Sequence, residues 1–353
     1  MLDWNSIIFR NQEAYLDIID GYEFYKKIKG MNKKNFLLAT TTCFFLLYSC
    51  KKEVSSPRLD GAKRLAIDKK GSMQNPAFLS SNQKIIFTLY REGYNSITAD
   101  IMIYDMTSGI TKTLVADGSA NVNLPGSCWN PVTKKIVFAS SREPHDEIYM
   151  IDENSNPGNE IKITERSKQV AYEPTISPDG QWIVFESHNV DVEKQGVIVK
   201  YKVDNANSYT ELTNVGEDCR QPNWSPAGGT ILYQKFENGH WGIWIMNSNG
   251  ANKTRVTTGT ADATDASFSP DGKYIVYSSN QSGEKIANIY IIPVSGGVSK
   301  RVTNYEGYDG APLWSADGKK IIFESSSKEL DKPSLWAPYD SRGTSIWIID
   351  SPQ

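Results

Sequence analysis

The chain carries three histidines, His145, His188 and His240, in the stretches SREPHDE, SHNVDVEKQG and FENGHW. Neutral imidazoles ligate metals, and three of them converging at about 2 Å from one point would hold a divalent cation for catalysis. A second set is acidic and aromatic: Tyr172 with Glu173, Glu217 and Asp218 with Arg220, Asp262 and Asp265, and Tyr308 with Asp309. Carboxylates accept hydrogen bonds from sugar hydroxyls or pair with a basic loop, and Arg220 offers a planar fork to a carboxylate. A third set lies in SSKELDKPSLWAPYDSRGTS, where Trp336, beside Tyr339 and Arg342, is a flat platform for a sugar face or a side chain. Asp152 to Gly158 nearly spells a calcium loop, but its glycine is displaced by one position and no closing glutamate follows, so a turn is the better account. The sequence contains no G-x-S-x-G elbow, H-E-x-x-H pair or P-loop.

The elements that must position these residues repeat. SFSPDGKYIVYSS at 267 to 279 echoes TISPDGQWIVFES at 175 to 187, and four worn copies make six. Their markers are Phe78, Trp129, Ile176, Trp224, Phe268 and Trp314, 44 to 51 residues apart. Such a period points to an array or propeller. In each copy an apolar stretch (strand a) meets Ser-Pro-Asp-Gly or a variant. Proline presets the second turn position, aspartate suits the third, and glycine tolerates positive φ at the exit. A short continuous apolar run follows (strand b), such as Ile183-Val184-Phe185, suited to burial on both faces. A third run (strand c), such as IWIMN at 243, and a more polar fourth (strand d), such as TRVTT at 254, complete the unit.

The sixth unit ends after its strand c. Lys63 to Ile67, ahead of the first unit, resembles Lys300 to Asn304, a strand d. Pairing it with the last strand c closes a ring and protects the edges that an open array would expose. The expectation is therefore an all-β, six-bladed β-propeller with four-stranded blades, closed by an N-terminal strand. The a–b turns then lie on one face. The b–c and d–a loops lie on the other, so the histidines, the acidic–aromatic set and Trp336 are expected in loops around one channel mouth.

Lys plus Arg number 38 against 41 Asp plus Glu, a net charge of −3, and this balance suggests no nucleic-acid partner. MNKKNFLLATTTCFFLLYSC, from Met31, has a basic start and an apolar stretch too short to span a bilayer as a helix. Its end, Leu47-Tyr48-Ser49-Cys50, resembles the bacterial lipoprotein box, which implies lipid on Cys50 and a place in a Gram-negative envelope, at the outer membrane. The expected plan is an over-extended start over 1–30 with no assigned function, a signal over 31–49, a lipidated cysteine and tether over 50–57, and the propeller over 58–353. Cys128 and Cys219 begin strands a of non-adjacent blades, beyond the reach of a disulfide. Both are expected to be buried free thiols.

The quartets Ser177-Pro178-Asp179-Gly180, Ser269-Pro270-Asp271-Gly272 and Ser315-Ala316-Asp317-Gly318, each ahead of a strand like I-V-F-x-S, resemble the TolB-type propeller family. The resemblance runs from about residue 60 to the end and specifies fold more than function. With the lipoprotein box and the missing catalytic motifs, the propeller points to a lipid-anchored, non-catalytic module without a cofactor, expected to bind an envelope protein or glycan through the mouth residues Tyr172, Glu173, Asp218, Arg220, Asp265, Tyr308, Asp309 and Trp336. The resemblance also leaves an alternative, since some relatives are uronate lyases that hold a metal through histidines at the channel mouth, the place expected for His145, His188 and His240. The α/β domain that some members carry ahead of the propeller, and the hydrolase domain of prolyl-oligopeptidase relatives, have no counterpart in this sequence.

Overall fold

The structure, a computed structural model, describes residues 58–352 except 80–81, 96–97, 117, 119–121, 124–128, 167, 192–194, 282, 284–285 and 327–342. The expected signal, Cys50 with its tether, Cys128 and Trp336 lie outside the described residues. What is described forms six four-stranded antiparallel sheets, each the blade of a propeller. Blade 1 runs from β2 (Ser72–Phe78) to β5 (Thr111–Ala116), and blade 2 from β6 (Val122–Asn123) to β9 (Ile161–Lys162). Blade 3 spans β10 (Gln169–Ile176) to β13 (Asn205–Glu211), and blade 4 β14 (Cys219–Trp224) to β17 (Thr254–Arg255). Blade 5 spans β18 (Ala263–Phe268) to β21 (Lys300–Arg301). Blade 6 takes β22 (Asp309–Trp314), β23 (Lys320–Ser325) and β24 (Ser345–Asp350) from the C-terminal end and β1 (Lys63–Arg64) from the N-terminal end. The closing strand is as expected, with Lys63 opposite Ile348 and Arg64 opposite Trp347.

Alternation along strand b glues blade to blade. Ile183 and Phe185 join Ile136 and Phe138 of blade 2 in one apolar cluster, while Val184 between them packs with Trp224 and Ile231 of blade 4. Successive side chains point to opposite faces of a strand, so a strand buried on both sides reads as an unbroken apolar run.

The recurring quartets hold the opposite face. The Ser269 hydroxyl donates to Asp271 at 2.7 Å and accepts from the Tyr274 amide at 3.0 Å, and the Gly272 amide donates to the Ser269 carbonyl at 2.9 Å. Gly272 sits at φ 70°, a conformation open to glycine at little cost. Consecutive turns also touch. A Cβ on Gly272 would lie 3.9 Å from Pro226, and one on Gly318 4.0 Å from Pro270. The phrase recurs because each turn is both a hairpin and a neighbour of the next.

The chain enters the ring through a buried cation. Arg58 donates to both carboxylate oxygens of Asp309, at 2.8 and 2.7 Å, and to Asp60 at 2.6 Å. Its guanidinium lies 4.0 Å from the Tyr305 ring centre and 5.1 Å from that of Trp347.

Candidate functional site

Strand a lines the channel, and in five blades its pairing with strand b slips by one residue. At the slips Asn75, Glu173, Gln221, Asp265 and Ala311 take φ of 50°, 49°, 49°, 52° and 46°. Such a bulge takes its residue out of the ladder and leaves the amide to find another acceptor. Here the preceding blade supplies it. The Gln221 amide donates to Glu173 at 3.1 Å, the Asp265 amide to the Gln221 side-chain carbonyl at 3.0 Å, and the Ala311 amide to the Asp265 carboxylate. The Gln221 Nε2 also bridges Glu173 and Asp265, at 3.1 and 2.9 Å. Ala311 has no acceptor to pass on, and the next amide, that of Asn75, turns to Glu324 of strand b at 2.9 Å.

A second tier comes from strand b. Thr88, Glu186, Gln234, Ser278 and Glu324 occupy equivalent positions, opposite Gln74, Tyr172, Arg220, Thr264 and Gly310. All five are buried. Burial pushes the carboxyls of Glu173 and Asp265 up, and it pushes Glu186 well up, with the neighbouring Glu173 adding to the effect. Glu173 and Glu186 are in hydrogen-bond contact, which adds to the upward push on Glu186. Arg220 Nε lies 3.6 Å from Glu186 and 2.9 Å from Asp218. Burial raises Glu324 to about 8, although it accepts the Asn75 amide and the hydroxyls of Tyr94 and Tyr308 at 3.3 and 3.2 Å. Tyr308 reaches it across Gly310, where a Cβ would collide with the tyrosine hydroxyl.

This arrangement brings part of the expected set together and separates the rest. Tyr172, Glu173, Arg220 and Asp265 belong to strand a itself rather than to loops, because the polar channel-facing strand starts earlier than its apolar end suggests. Asp218 precedes strand a and pairs with Arg220, and Tyr308 sits on Glu324. Asp309 is fully buried and committed to Arg58, so it holds the ring together instead of facing a ligand. His145 lies in a b–c loop, where its Nε2 is 2.5 Å from the Arg166 carbonyl. His188 belongs to β11 (Trp182–Asn189) and packs on Tyr172 at 5.7 Å, and His240 opens β16 (His240–Asn247) opposite Glu237. The three histidines thus have separate surroundings. Among the described residues no group of three or more His, Cys, Asp and Glu could hold a metal ion. Asp152 to Gly158 is the connection between strands c and d of blade 2. Cys219 is a buried free thiol, which burial pushes up to about 12.

Sequence reasoning missed Gln221, Glu186, Glu324, Tyr94 and Arg58. Two signals were available. Asn75-Pro76, Glu173-Pro174, Gln221-Pro222 and Ala311-Pro312 each put a proline inside a strand, a placement confined to edges and bulges. Phe185-Glu186-Ser187 and Phe323-Glu324-Ser325 each put a carboxylate in a slot that holds Thr88, Ala139, Gln234 or Ser278 elsewhere.

A family model described as TolB beta propeller domain matches residues 50–238 and 158–336. An uncharacterized peptidase of Bacillus subtilis is 28% identical over 134 residues, covering 36% of this chain and 20% of that protein. An uncharacterized protein of Agrobacterium fabrum is 24% identical over 202 residues, 57% of this chain and 66% of its own. The Tol-Pal system protein TolB of Francisella tularensis subsp. mediasiatica is 31% identical over 100 residues, 28% of this chain and 23% of its own. The matches therefore span between a fifth and two thirds of these relatives' lengths. Among solved structures, TolB from Acinetobacter baumannii superposes with a TM-score of 0.59 at 19% identity, over 77% of this chain and 64% of that one. An oligogalacturonate lyase in complex with manganese gives 0.52 at 15% identity, over 76% of this chain and 73% of its own. At such identities these structures share the fold.

Proposed function

The chain belongs to the TolB beta propeller domain family, and from that premise we propose that it is a non-catalytic binding module of the cell envelope, anchored by lipid on Cys50, which takes a cationic group of a protein partner into the mouth of its channel. One observation carries the reading: Glu173, Glu186 and Asp218 stand around the cation of Arg220, and Asp265 and Glu324 carry the acidic line onward along the channel. Gln221 holds two of these acids in place across three blades, which suits a fixed recognition surface. The 31% identity over 100 residues to a Tol-Pal system protein supports a binding role. The stretch from Met31 to Cys50 supplies the anchor. A cluster of acids attracts an ammonium or guanidinium, whereas a neutral glycan gains only hydrogen bonds there.

The test is a pull-down from solubilised envelopes with the full chain, its Asp265→Asn variant and the turn-face variant Lys273→Ala. A partner held by the wild type and by Lys273→Ala, and lost with Asp265→Asn, supports the reading. A partner that Asp265→Asn retains at full strength refutes it.

A further inference from the structure

The acids of the channel mouth are more numerous than the cations that face them. Arg220 stands between Asp218 and Glu186 and is shared by both. Glu173 hydrogen-bonds Gln221, a neutral group, and feels the same Arg220 through space, while Asp265 is met by Gln221, Thr264 and the Ala311 amide. Tyr172 adds a hydroxyl engaged with Asp146, and Glu324 stands with Tyr94 and Tyr308. A second observation points to something that enters. Gln234 is 6% exposed, and its Oε1 has no hydrogen-bond partner. It stands directly across from Arg220, in the position that Glu186 holds in blade 3. A buried acceptor left without a donor is costly, and a ligand N–H would meet it.

We infer that a guanidinium or ammonium entering the channel mouth replaces the proton shared by Glu173 and Glu186, so that binding expels that proton. This rests on the reading of the mouth as a site for a cationic group and adds its regulation. In the free protein the pair keeps a proton because two carboxylates in contact cannot both stay charged away from water. The arriving cation supplies the missing counter-charge. The Glu186 O–H bond then breaks, its proton passes to solvent or buffer, and the carboxylate and the ligand N–H form a charge-assisted hydrogen bond. Nothing is oxidised or reduced. Occupancy consequently responds to pH in a compartment whose pH follows its surroundings: an acidic medium returns the proton and releases the partner.

The probe is acetyl-Ala-Arg-Ala-amide, whose one charge does not titrate in the range used, with acetyl-Ala-Gln-Ala-amide as its neutral control. Binding to the full chain is measured by NMR titration between pH 5.5 and 7.5. The expected Kd of the arginine probe falls with rising pH by up to about tenfold per unit, the slope for one released proton. Glu186→Gln, an isostere of the protonated acid, is expected to bind with a Kd that varies less than about twofold over the same range. A flat Kd in the wild type overturns the proton coupling and leaves the cationic mouth standing. An equal slope in Glu186→Gln overturns the assignment to this pair. If the arginine probe binds no better than the glutamine control at any pH, both the coupling and the cationic mouth fail.

Discussion

Replacing Arg58 by methionine tests what closes the ring. Methionine keeps much of the apolar stem and removes the fork that spans Asp60 and Asp309. The three side chains are 3%, 4% and 0% exposed. Removing one partner of such a buried group costs about 3–5 kcal/mol, because a carboxylate is stranded away from water. At roughly 2 °C per kcal/mol for a chain of this size, the melting temperature should drop by about 6–10 °C. The loss should deepen as pH rises. Burial already raises Asp309 with the arginine present. Without it, the folded state binds a proton there that the unfolded state has released, and each such proton lowers stability as pH climbs. Urea unfolding at pH 5 and pH 8 measures both effects. The double variant Arg58→Met with Asp309→Asn separates lost attraction from stranded charge, and it should recover more than half of the loss. A single variant within about 1 kcal/mol of wild type, or a double variant whose losses simply add, would refute the clamp.

Glu324 makes stability fall as pH rises. Its folded value of about 8 lies above its ordinary one, so between them only the folded state holds the proton and stability declines by up to about 1.4 kcal/mol per pH unit. Urea midpoints should show that Glu324→Gln flattens this decline. Gly310→Ala drives a Cβ into the Tyr308 hydroxyl; a loss of about 1–3 kcal/mol and a changed tyrosine near-ultraviolet spectrum are expected. Gly272→Val, at φ 70° on the turn face, should cost about 1–3 kcal/mol while the arginine probe still binds the opposite face as it does the wild type. Mass spectrometry of the native protein should find an acylated Cys50 at the mature N-terminus.

How much of this was legible followed the distance over which each feature is decided. The turn quartets are local: the Ser269 hydroxyl, the Asp271 carboxylate and the Gly272 backbone meet within four residues, and their types reveal the hairpin. The blade pattern is local as well, because Ile183-Val184-Phe185 needs an apolar neighbour on each side. The start of strand a was hidden. Tyr172 packs on the apolar layer between blades but is followed by Glu173 at the bulge, so the stretch lacks the unbroken apolar run of a buried strand and reads as loop. The relay between bulges was hidden too, since Gln221 meets partners 48 and 44 residues away. Arg58 is the extreme case. Its partner Asp309 is 251 residues distant, and no pattern near Arg58 marks it as buried.

The closing strand imposes an order on the life of the chain. Among the described strands β1 is made first, yet β24, its partner, is made last. Through the synthesis of five complete blades, Lys63 and Arg64 have no edge to join. Blade 6 then forms from strands at opposite ends of the described residues in one late event, a contact of very long sequence separation and correspondingly slow to find. Until that moment the first and last blades both present bare sides, the state most prone to pair with another chain. Completion and protection therefore arrive together, and a chain halted a few residues short of β24 would be left with five finished blades and no ring.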